Sequence, residues 1–346
     1  MRAAVLHDGH VTVRDTADPQ PGLGHLLLRT LSCAICASDL HFMDHPEASG
    51  NDPLFAGYDT HADIVMGHEF VGEVIGHGPG VDEEKFPLGS RVTSIPFLFT
   101  PDGGHIIGQH QDAPGGFGEL MLVSQDTARV VPDTISDDAI ALTDAFAVGE
   151  GYVRTSGITE KDVPVVVGAG AIGLSAVAAL TRRGISPIIV ADYNPARLEL
   201  ARTFGADITI NPAERSPYDE WARHAHADGR QARCFVYECV GAPNIVDGII
   251  AECPHNTRIS CAGGHYTSDT VSIANATRKG IRIQFGGVPE FEDWYGTLDL
   301  IIDGTLDPLP SIGMVIGLDD VPDALRLARG GKGPPRIIVK PAGAQA

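Results

Sequence analysis

Hydrophobic and polar positions follow two different patterns along this chain. Residues 1–145 contain short apolar runs separated by turn residues, namely HLLLRTL, FVGEVIG, SRVTSIP, GELMLV and ARVVP. Such runs, bounded by Gly and Pro, are typical of strands in a β-rich domain, either a barrel or a folded sheet. Residues 42–66 and 96–116 interrupt the pattern, and we interpret both segments as long loops.

From about Val163 the pattern changes to strands that alternate with helices. VPVVVGAGAIG is a buried strand that ends in glycines, and LSAVAALTRRG is a helix that ends at Gly184. SPIIVAD is a second strand, and NPARLELARTFGA is a second helix, with Asn194 as its cap and Pro195 in its first turn. Further apolar runs are RCFVYECVG, NTRISCAGG, GIRIQFGG and PPRIIVKP. Alternation of this kind predicts an α/β protein with a doubly wound parallel sheet.

Composition and charge narrow the class of protein. The chain has 346 residues, of which 43% are hydrophobic, so a folded protein with two domains is expected. It contains no long apolar run and its first residues do not form a signal peptide, so we expect no membrane span and a cytoplasmic location. The net charge of −20 disfavours nucleic acid and anionic membranes as partners. Six cysteines in a chain of this length do not indicate a disulfide framework.

The segment GAGAIG predicts a dinucleotide site. It supplies Gly168, Gly170 and Gly173 between a predicted strand and a predicted helix. In this context the first glycine permits a tight turn, the second lets the backbone approach a pyrophosphate, and the third lets helix and strand pack closely. The helix N-terminus would hold the phosphates, which an otherwise acidic protein requires.

The end of the second strand predicts the choice of dinucleotide. Asp192 stands where a carboxylate accepts hydrogen bonds from the adenosine ribose and repels a 2′-phosphate, so NAD is favoured over NADP. The alternative is that Asp192 only caps the turn. Arg197 either lies along the same ribose or is a solvated helix residue, and the sequence does not separate these alternatives.

The stretch CAICASDLH contains Cys33 and Cys36 and is open to three interpretations: a redox pair, half of a zinc knuckle, or part of an active site. A second cysteine pair, needed for a closed knuckle, does not follow. A redox motif belongs at a helix start in a thioredoxin-like domain, which nothing else in the chain indicates. An open catalytic zinc site needs three protein ligands, and Cys36, His68 and Asp144 are candidates.

Taken in order, the segments CASDLH, GHE, LTDAF and GAGAIG resemble the zinc-dependent medium-chain alcohol dehydrogenases. The resemblance extends over essentially the whole chain. It implies a GroES-like catalytic domain formed by residues 1–147 and 287–346, and a Rossmann domain for NAD formed by residues 148–286. It also implies that the protein is a homodimer or homotetramer.

The resemblance assigns the ligands of the metal. Cys36, His68 and Asp144 would ligate zinc. Glu69 would lie just behind the metal, able to replace water or to ligate transiently. Asp39 would accept a hydrogen bond from His68 and so fix the tautomer of the imidazole.

The resemblance also assigns a proton path and a contact with the cofactor. Ser38 would take the proton from the alcohol, and His41 would pass it towards solvent through the nicotinamide ribose. Ile172 would press on the face of the nicotinamide, and hydride would pass to NAD in the cleft between the domains.

The chain departs from the family pattern at several places. Residues 96–116 contain no cysteine, where many members carry a structural zinc, so we expect one catalytic zinc and no structural zinc. His105 and His110 in this segment are interpreted as loop residues. The long loop of residues 42–66 is expected to line the substrate cleft. Glu150 either binds a substrate hydroxyl or faces solvent.

The predicted function is therefore oxidation of an alcohol, interpreted as secondary, cyclic or bulky, to an aldehyde or ketone with NAD. The expected partner is this small-molecule substrate. One alternative is a polyol or sugar-alcohol dehydrogenase with the same zinc site, and another is a zinc-free quinone or enoyl reductase of the same fold. A more distant alternative is a non-catalytic binding protein.

Overall fold

The computed structural model describes residues 1–44, 59, 61–101, 103–265, 268–286, 289–331 and 333–341. These residues form two compact units, Met1–Asp144 with Leu298–Ala346, and Ala145–Thr297. Most of the predicted loop of residues 42–66, namely 45–58 and 60, lies outside the described residues, so its expected place at the substrate cleft stays a prediction. Within the described part of the chain, no helix is both long enough and apolar enough to cross a membrane.

The first elements along the chain are β1 (Arg2–His7), β2 (His10–Asp15), β3 (His25–Ala34), α1 (Ala37–Asp44), β4 (Ile64–Val65), β5 (Glu69–His77), β6 (Arg91–Ser94), β7 (Phe97–Thr100), β8 (Gly103–Ile106), β9 (Leu120–Ser124), β10 (Ala128–Val130) and α2 (Asp137–Ala141). Next come α3 (Thr143–Ser156), β11 (Val163–Val167), α4 (Ala171–Arg182), β12 (Ile189–Ala191), α5 (Pro195–Thr203), β13 (Ile208–Ile210), α6 (Pro217–Ala225), β14 (Cys234–Glu238), α7 (Ile245–Glu252), β15 (Arg258–Cys261), α8 (Ile273–Lys279) and β16 (Arg282–Phe285). The last are α9 (Phe291–Ile302), β17 (Ile312–Gly317), α10 (Val321–Arg329) and β18 (Arg336–Lys340).

The unit that contains the N-terminus is built on β3, which confirms the predicted β-rich domain. Its main sheet has the order β10-β6-β5-β3-β18-β17, with β9 also paired to β3. The long run HLLLRTLSCA is buried along most of its length, and Leu26 and Leu28 join Phe70 and Met121 in the apolar core. Burial of these side chains stabilises the sheet that carries the candidate metal ligands.

The segment of residues 96–116 is not the long loop that its composition indicates. Strands β7 and β8 pair in antiparallel fashion within it. His105 lies in β8, and its ring stacks on that of His110 at a centroid distance of 3.8 Å. Both side chains are buried, and the interpretation as a loop residue was wrong for His105, which lies in a strand, whereas His110 lies outside the named strands as expected. The error arose because the Gly and Pro content of the segment hides a short hairpin.

The second unit confirms the predicted doubly wound sheet. Its strands have the order β13-β12-β11-β14-β15-β16, and the described pairings are all parallel. The order reverses between β11 and β14, and in such sheets ligands bind at the carboxyl ends of the strands beside this point. The predicted cap at Asn194 is confirmed, because its Oδ1 accepts from Ala196 N at 2.9 Å. Gly184 follows α4 with a φ of +68°, which suits a helix terminator.

The tail contains more structure than the sequence indicated. The predicted strand PPRIIVKP is confirmed as β18, while α9, β17 and α10 were not predicted. Strand β18 pairs with β3 in antiparallel fashion, and Ile338 lies opposite Ala34. This pairing places Arg336 beside the residues that follow β3.

Candidate active site

Three side chains that can bind a metal converge beside the end of β3. The donor atoms of Cys36, His68 and Glu69 all lie within 4.8 Å of one another. The sheet explains this convergence, because Ala34 at the end of β3 is paired with Glu69 at the start of β5. Cys36 follows the end of β3, and His68 precedes the start of the neighbouring strand β5, so the two residues lie at the same edge of the sheet.

Asp39 and Ser38, in the first turn of α1, hold the ring of His68 from its two sides. The ring Nδ1 lies 3.1 Å from Asp39 Oδ1, an ion-pair contact without the alignment of a hydrogen bond. The other carboxylate oxygen of Asp39 accepts from Cys36 N at 2.9 Å. On the opposite side, Ser38 Oγ lies 3.2 Å from Nε2. With Asp39 against Nδ1, Nε2 is the ring nitrogen that faces Ser38.

Burial and neighbouring charges determine the pKa values of Cys36, His68 and Glu69. Burial alone would raise the pKa of the Cys36 thiol, but His68 and Arg336 outweigh it and bring this pKa to about 7. Burial raises the pKa of Glu69 to about 8, although Arg336 opposes the rise. The pKa of His68 is raised well above its ordinary value because Asp39 outweighs the opposing effect of burial. A thiol that ionises near neutral pH is suited to ligate a metal.

Arg336 lies behind the cluster and was not predicted from the sequence. Its Nη1 lies 3.0 Å from Glu69 Oε2 and donates to Ile35 O at 3.2 Å. The side chain is fully buried, and Nε and Nη2 have no hydrogen-bond partner. The sequence signal that could have identified it is a single arginine inside the apolar run PPRIIVKP. A charged residue in a buried strand is rare unless it is paired, so this arginine indicated a buried acidic partner.

The residues of this cluster fit a zinc ion. Thiolate, imidazole and carboxylate are the ligands that zinc takes in proteins. The three donor atoms lie close enough together to share one ion, and Glu69 Oε2 has no aligned hydrogen bond although Arg336 Nη1 lies 3.0 Å away, so the protein itself meets the polar demand of the cluster only in part. Asp144, the third predicted ligand, lies in the first turn of α3 and is not part of this group of three residues. Its negative charge contributes to raising the pKa of Arg336. His41 lies one turn after Ser38 on α1.

Cys33 does not take part in this cluster. Its side chain is fully buried, and burial raises the pKa of its thiol well above the ordinary value. A Cβ added at Gly67 or at Gly116 would lie 2.8 Å from its Sγ, so Cys33 fills a tightly packed position in the core. Cys33 and Cys36 are both free thiols.

The glycine-rich turn after β11 has the geometry of a phosphate cradle. Gly168 has a φ of +93°, which glycine adopts readily. A Cβ at Gly173 would lie 1.9 Å from Gly168 O, so only glycine permits this close packing. Gly170 caps α4, and a Cβ there would meet nothing within 4 Å. The space in front of the helix N-terminus is therefore open for an anion. Ile172 follows in the first turn of α4.

Asp192 follows β12 and supports the same turn. Its Oδ2 accepts from Ala169 N at 2.8 Å, and its Oδ1 accepts from Asn194 N at 2.7 Å. The carboxylate is partly exposed, so its remaining lone pairs can accept from a ligand. Arg197 lies in the first turn of α5 and is half-buried.

Glu150 does not face solvent, which was one of its two predicted alternatives, and the other, binding of a substrate hydroxyl, stays a prediction. Its carboxylate accepts hydrogen bonds from Arg182 and from Arg183, and its side chain is only 15% exposed. These contacts join α3 to the C-terminal end of α4. Glu150 therefore has an ion-pairing role within its own unit, and the sequence gave no sign of its partners.

Two family profiles match the chain. One, described as "Alcohol dehydrogenase GroES-like domain", matches residues 22–133, and the other, described as "Zinc-binding dehydrogenase", matches residues 171–303. The predicted fold class, a GroES-like domain with a Rossmann-type sheet, is confirmed.

Known proteins resemble the chain over nearly all of its length. An L-threonine 3-dehydrogenase from Shigella sonnei is 31% identical over 331 residues, which cover 91% of this chain and 93% of that protein. The crystal structure of 2R,3R-butanediol dehydrogenase from Bacillus subtilis matches with a TM-score of 0.81 at 24% identity, over 98% of this chain and 99% of that one. Acetophenone reductase from Geotrichum candidum in complex with NAD matches with a TM-score of 0.79 at 21% identity, over 98% and 97%.

The fold and the site together define a zinc-type dehydrogenase. The chain belongs to the zinc-dependent medium-chain alcohol dehydrogenase family, within the medium-chain dehydrogenases/reductases. It is accordingly an oxidoreductase that acts on CH–OH groups.

Proposed function

We propose that the protein oxidises a secondary, cyclic or bulky alcohol to the carbonyl compound with NAD, and carries one catalytic zinc per chain. The observation that carries this proposal is the convergence of Cys36, His68 and Glu69 beside the hydroxyl of Ser38. Zinc bound by these side chains would supply Lewis-acid chemistry that lowers the pKa of an alcohol.

The residues of the chain would have distinct roles. Cys36 and His68 would hold the metal, with Asp144 as third ligand and Glu69 as an exchangeable one. A zinc ion with three protein ligands keeps one position open for the substrate. Asp39 would keep Nδ1 of His68 protonated and thereby direct Nε2 to the metal.

Ser38 and His41 would move the proton. Ser38 Oγ lies beside the ring of His68, and a hydroxyl both accepts and donates. His41 follows three residues later on the same face of α1 and would pass the proton towards solvent through the nicotinamide ribose. This direction of transfer accompanies oxidation of the alcohol, and the reverse accompanies reduction of the carbonyl.

The substrate class and the single zinc have separate support. The names of two similar proteins, L-threonine 3-dehydrogenase and 2R,3R-butanediol dehydrogenase, specify substrates with a secondary hydroxyl. Residues 96–116 contain no cysteine, and in the described part of this segment the stacked pair His105 and His110 packs in its interior.

The first test is formation of NADH with a panel of primary, secondary, cyclic and polyhydroxy alcohols, together with the zinc content of the protein. Turnover of secondary or cyclic alcohols with about one zinc per chain is expected. Preferred turnover of polyols would assign the substrate to the sugar-alcohol class. If the protein contains zinc and binds NAD but forms no NADH with any alcohol of the panel, the proposal that it is catalytic is contradicted.

A matched pair of cysteine variants tests the metal site. Cys36→Ser is expected to lose zinc and activity together, whereas Cys253→Ser, a free buried cysteine in the other unit, is expected to keep both. Full activity of a metal-free Cys36→Ser protein would refute the assigned site.

A further inference from the structure

The carboxyl edge of the parallel sheet contains a buried carboxylate paired with an imidazole. His265 Nε2 lies 2.8 Å from Glu238 Oε2. Glu238 is fully buried, whereas the side chain of His265 is 18% exposed. Because a carboxylate accepts, Nε2 carries the proton of this contact, and Nδ1 lies on the opposite side of the ring from Glu238.

Glu238 holds two loops at once. Its Oε1 accepts from Val240 N at 2.7 Å and from Gly241 N at 2.8 Å, which fixes the loop after β14. Its backbone carbonyl accepts from Ala262 N and Gly263 N at 2.8 Å, which fixes the loop after β15. A single residue at the end of β14 therefore determines where the loop that carries His265 lies.

These loops pack directly on the glycine-rich turn. A Cβ at Gly168 would lie 2.6 Å from Val240 Cγ2, and a Cβ at Gly241 would lie 2.4 Å from Gly264 O. At the first contact the side chain of Val240 packs on the glycine-rich turn, and at the second the backbones of two loops meet directly, so each loop limits the position of the next. The ring of His265 is thus held in a fixed relation to the phosphate cradle.

The strand order indicates which part of a dinucleotide would reach this ring. Asp192 follows β12, on one side of β11, whereas Glu238 and His265 follow β14 and β15 on the other side. A dinucleotide crosses such a sheet at the point of reversal, with its pyrophosphate at the glycine-rich turn. If Asp192 receives the adenosine ribose, the nicotinamide half extends over the ends of β14 and β15. Strand β15 lies two strand spacings, roughly 10 Å, from β11.

Resting on the proposed use of a nicotinamide dinucleotide, we propose that His265 contacts the nicotinamide half of the cofactor through Nδ1. Glu238 is the positioning residue that holds the ring at this place through Nε2. The pair adds a polar contact at the carboxyl edge that neither the glycine-rich turn nor Asp192 supplies.

Two substitutions distinguish the contribution of Nδ1 of His265 from that of Nε2. The side-chain amide of His265→Gln can reach the place of Nε2 and still donate to Glu238, but it offers nothing at Nδ1. The amide of His265→Asn is shorter and can replace only Nδ1. We therefore expect His265→Gln to keep the Tm of the cofactor-free protein, and His265→Asn to lower it by roughly 2–4 °C.

Binding of two ligands, measured by calorimetry on the full chain, tests the contact. For His265→Gln, the Kd of NADH is expected to rise about 5- to 10-fold, as for the loss of one hydrogen bond. The Kd of ADP, which lacks the whole nicotinamide half, is expected to stay within about twofold, because one hydrogen bond fewer is expected only where that half is present. An equal loss for both ligands, or no loss for either, would overturn the proposal.

A second histidine of the same unit provides the control. His224 Nε2 lies 3.2 Å from Glu220 Oε1 on α6, so His224→Gln changes a histidine with the same kind of partner elsewhere in the unit. It is expected to bind NADH like the unsubstituted protein. If the unsubstituted protein itself binds no NADH, the proposed function fails, whereas normal binding that is insensitive to His265→Gln refutes only the role of His265.

Discussion

Arg336 Nη1 lies 3.0 Å from Glu69 Oε2, and both side chains are completely buried beside the candidate zinc ligands. The two residues are far apart in the sequence and meet because β18 pairs with β3 and β3 pairs with β5. Burial nevertheless raises the pKa of Glu69 to about 8, so the cation only partly offsets the loss of hydration of this carboxyl group.

Replacing Arg336 with Met is expected to destabilise the zinc-free protein by about 3–5 kcal/mol, the usual result of removing one partner of a buried pair. The loss should be larger at pH 9 than at pH 6. A buried carboxyl with a raised pKa costs stability as pH rises from its unfolded pKa towards its folded pKa. Without Arg336 the folded pKa of Glu69 rises further, so in the variant this cost continues to grow above about pH 8. Urea unfolding at the two pH values measures the difference.

The double variant Arg336→Met/Glu69→Gln is the control for this prediction. It has no carboxyl group at residue 69, so the part of the additional loss that comes from Glu69 should disappear, leaving only the part that comes from the missing Arg336 charge beside the Cys36 thiol. Arg329→Met removes an exposed partner of Asp44 in the same unit and should cost less than about 1 kcal/mol. A pH-independent loss in Arg336→Met would contradict the proposed coupling to Glu69.

The sequence predicted the two kinds of domain because each has a local signature. Gly168, Gly170 and Gly173 stand between a strand and a helix, and this local order is enough to predict a phosphate cradle. Cys36 and His68 could be paired only through a family resemblance, because the contact between β3 and β5 that joins them is not local. Arg336 and His265 were missed for the same reason.

The hairpin formed by β7 and β8, within residues 96–116, was missed for a different physical reason. Its strands β7 and β8 are short, and the prolines that flank β7 and the glycines that begin β8 are typical of loops. Their stability comes from packing, such as the stack of His105 on His110, and packing of this kind leaves no periodic pattern in the sequence. Glu150 is similar, since its role depends on Arg182 and Arg183 from another helix.

Glu150→Gln is expected to destabilise the protein by about 1–3 kcal/mol, because two partly buried arginines lose their common acceptor charge. Chemical unfolding measures the change. The matched control is Glu199→Gln, which removes an exposed carboxylate paired with Arg202 within α5 and should cost no more than about 0.5 kcal/mol. Equal losses in the two variants would show that burial does not increase the contribution of the Glu150 ion pairs to the free energy of unfolding.

Asp162 is expected to make the stability of the second unit depend on pH. Burial alone would raise the pKa of Asp162, but hydrogen bonds from Arg233 and Thr159 outweigh this and lower it. A carboxylate with a lowered folded pKa contributes stability that is present above its unfolded pKa, about 3.9, and is lost as pH falls through the folded pKa. The stability difference between the unsubstituted protein and Asp162→Asn should therefore be constant from pH 5 to 7 and shrink below about pH 4. A difference that instead grows on acidification would contradict this sign.

Asp192 is expected to determine the preference for NAD through its charge and not only through its support of the glycine-rich turn. Asp192→Ala removes both the charge and the acceptor of Ala169 N, whereas Asp192→Asn can keep an acceptor oxygen for this contact. Both variants should therefore weaken NAD and lose the repulsion of the 2′-phosphate of NADP. We expect the ratio of Kd for NADP to Kd for NAD to fall at least about tenfold in each variant, with the larger loss of total affinity in Asp192→Ala. An unsubstituted protein that already prefers NADP, or an Asp192→Asn variant with an unchanged ratio, would show that the carboxylate only supports the turn.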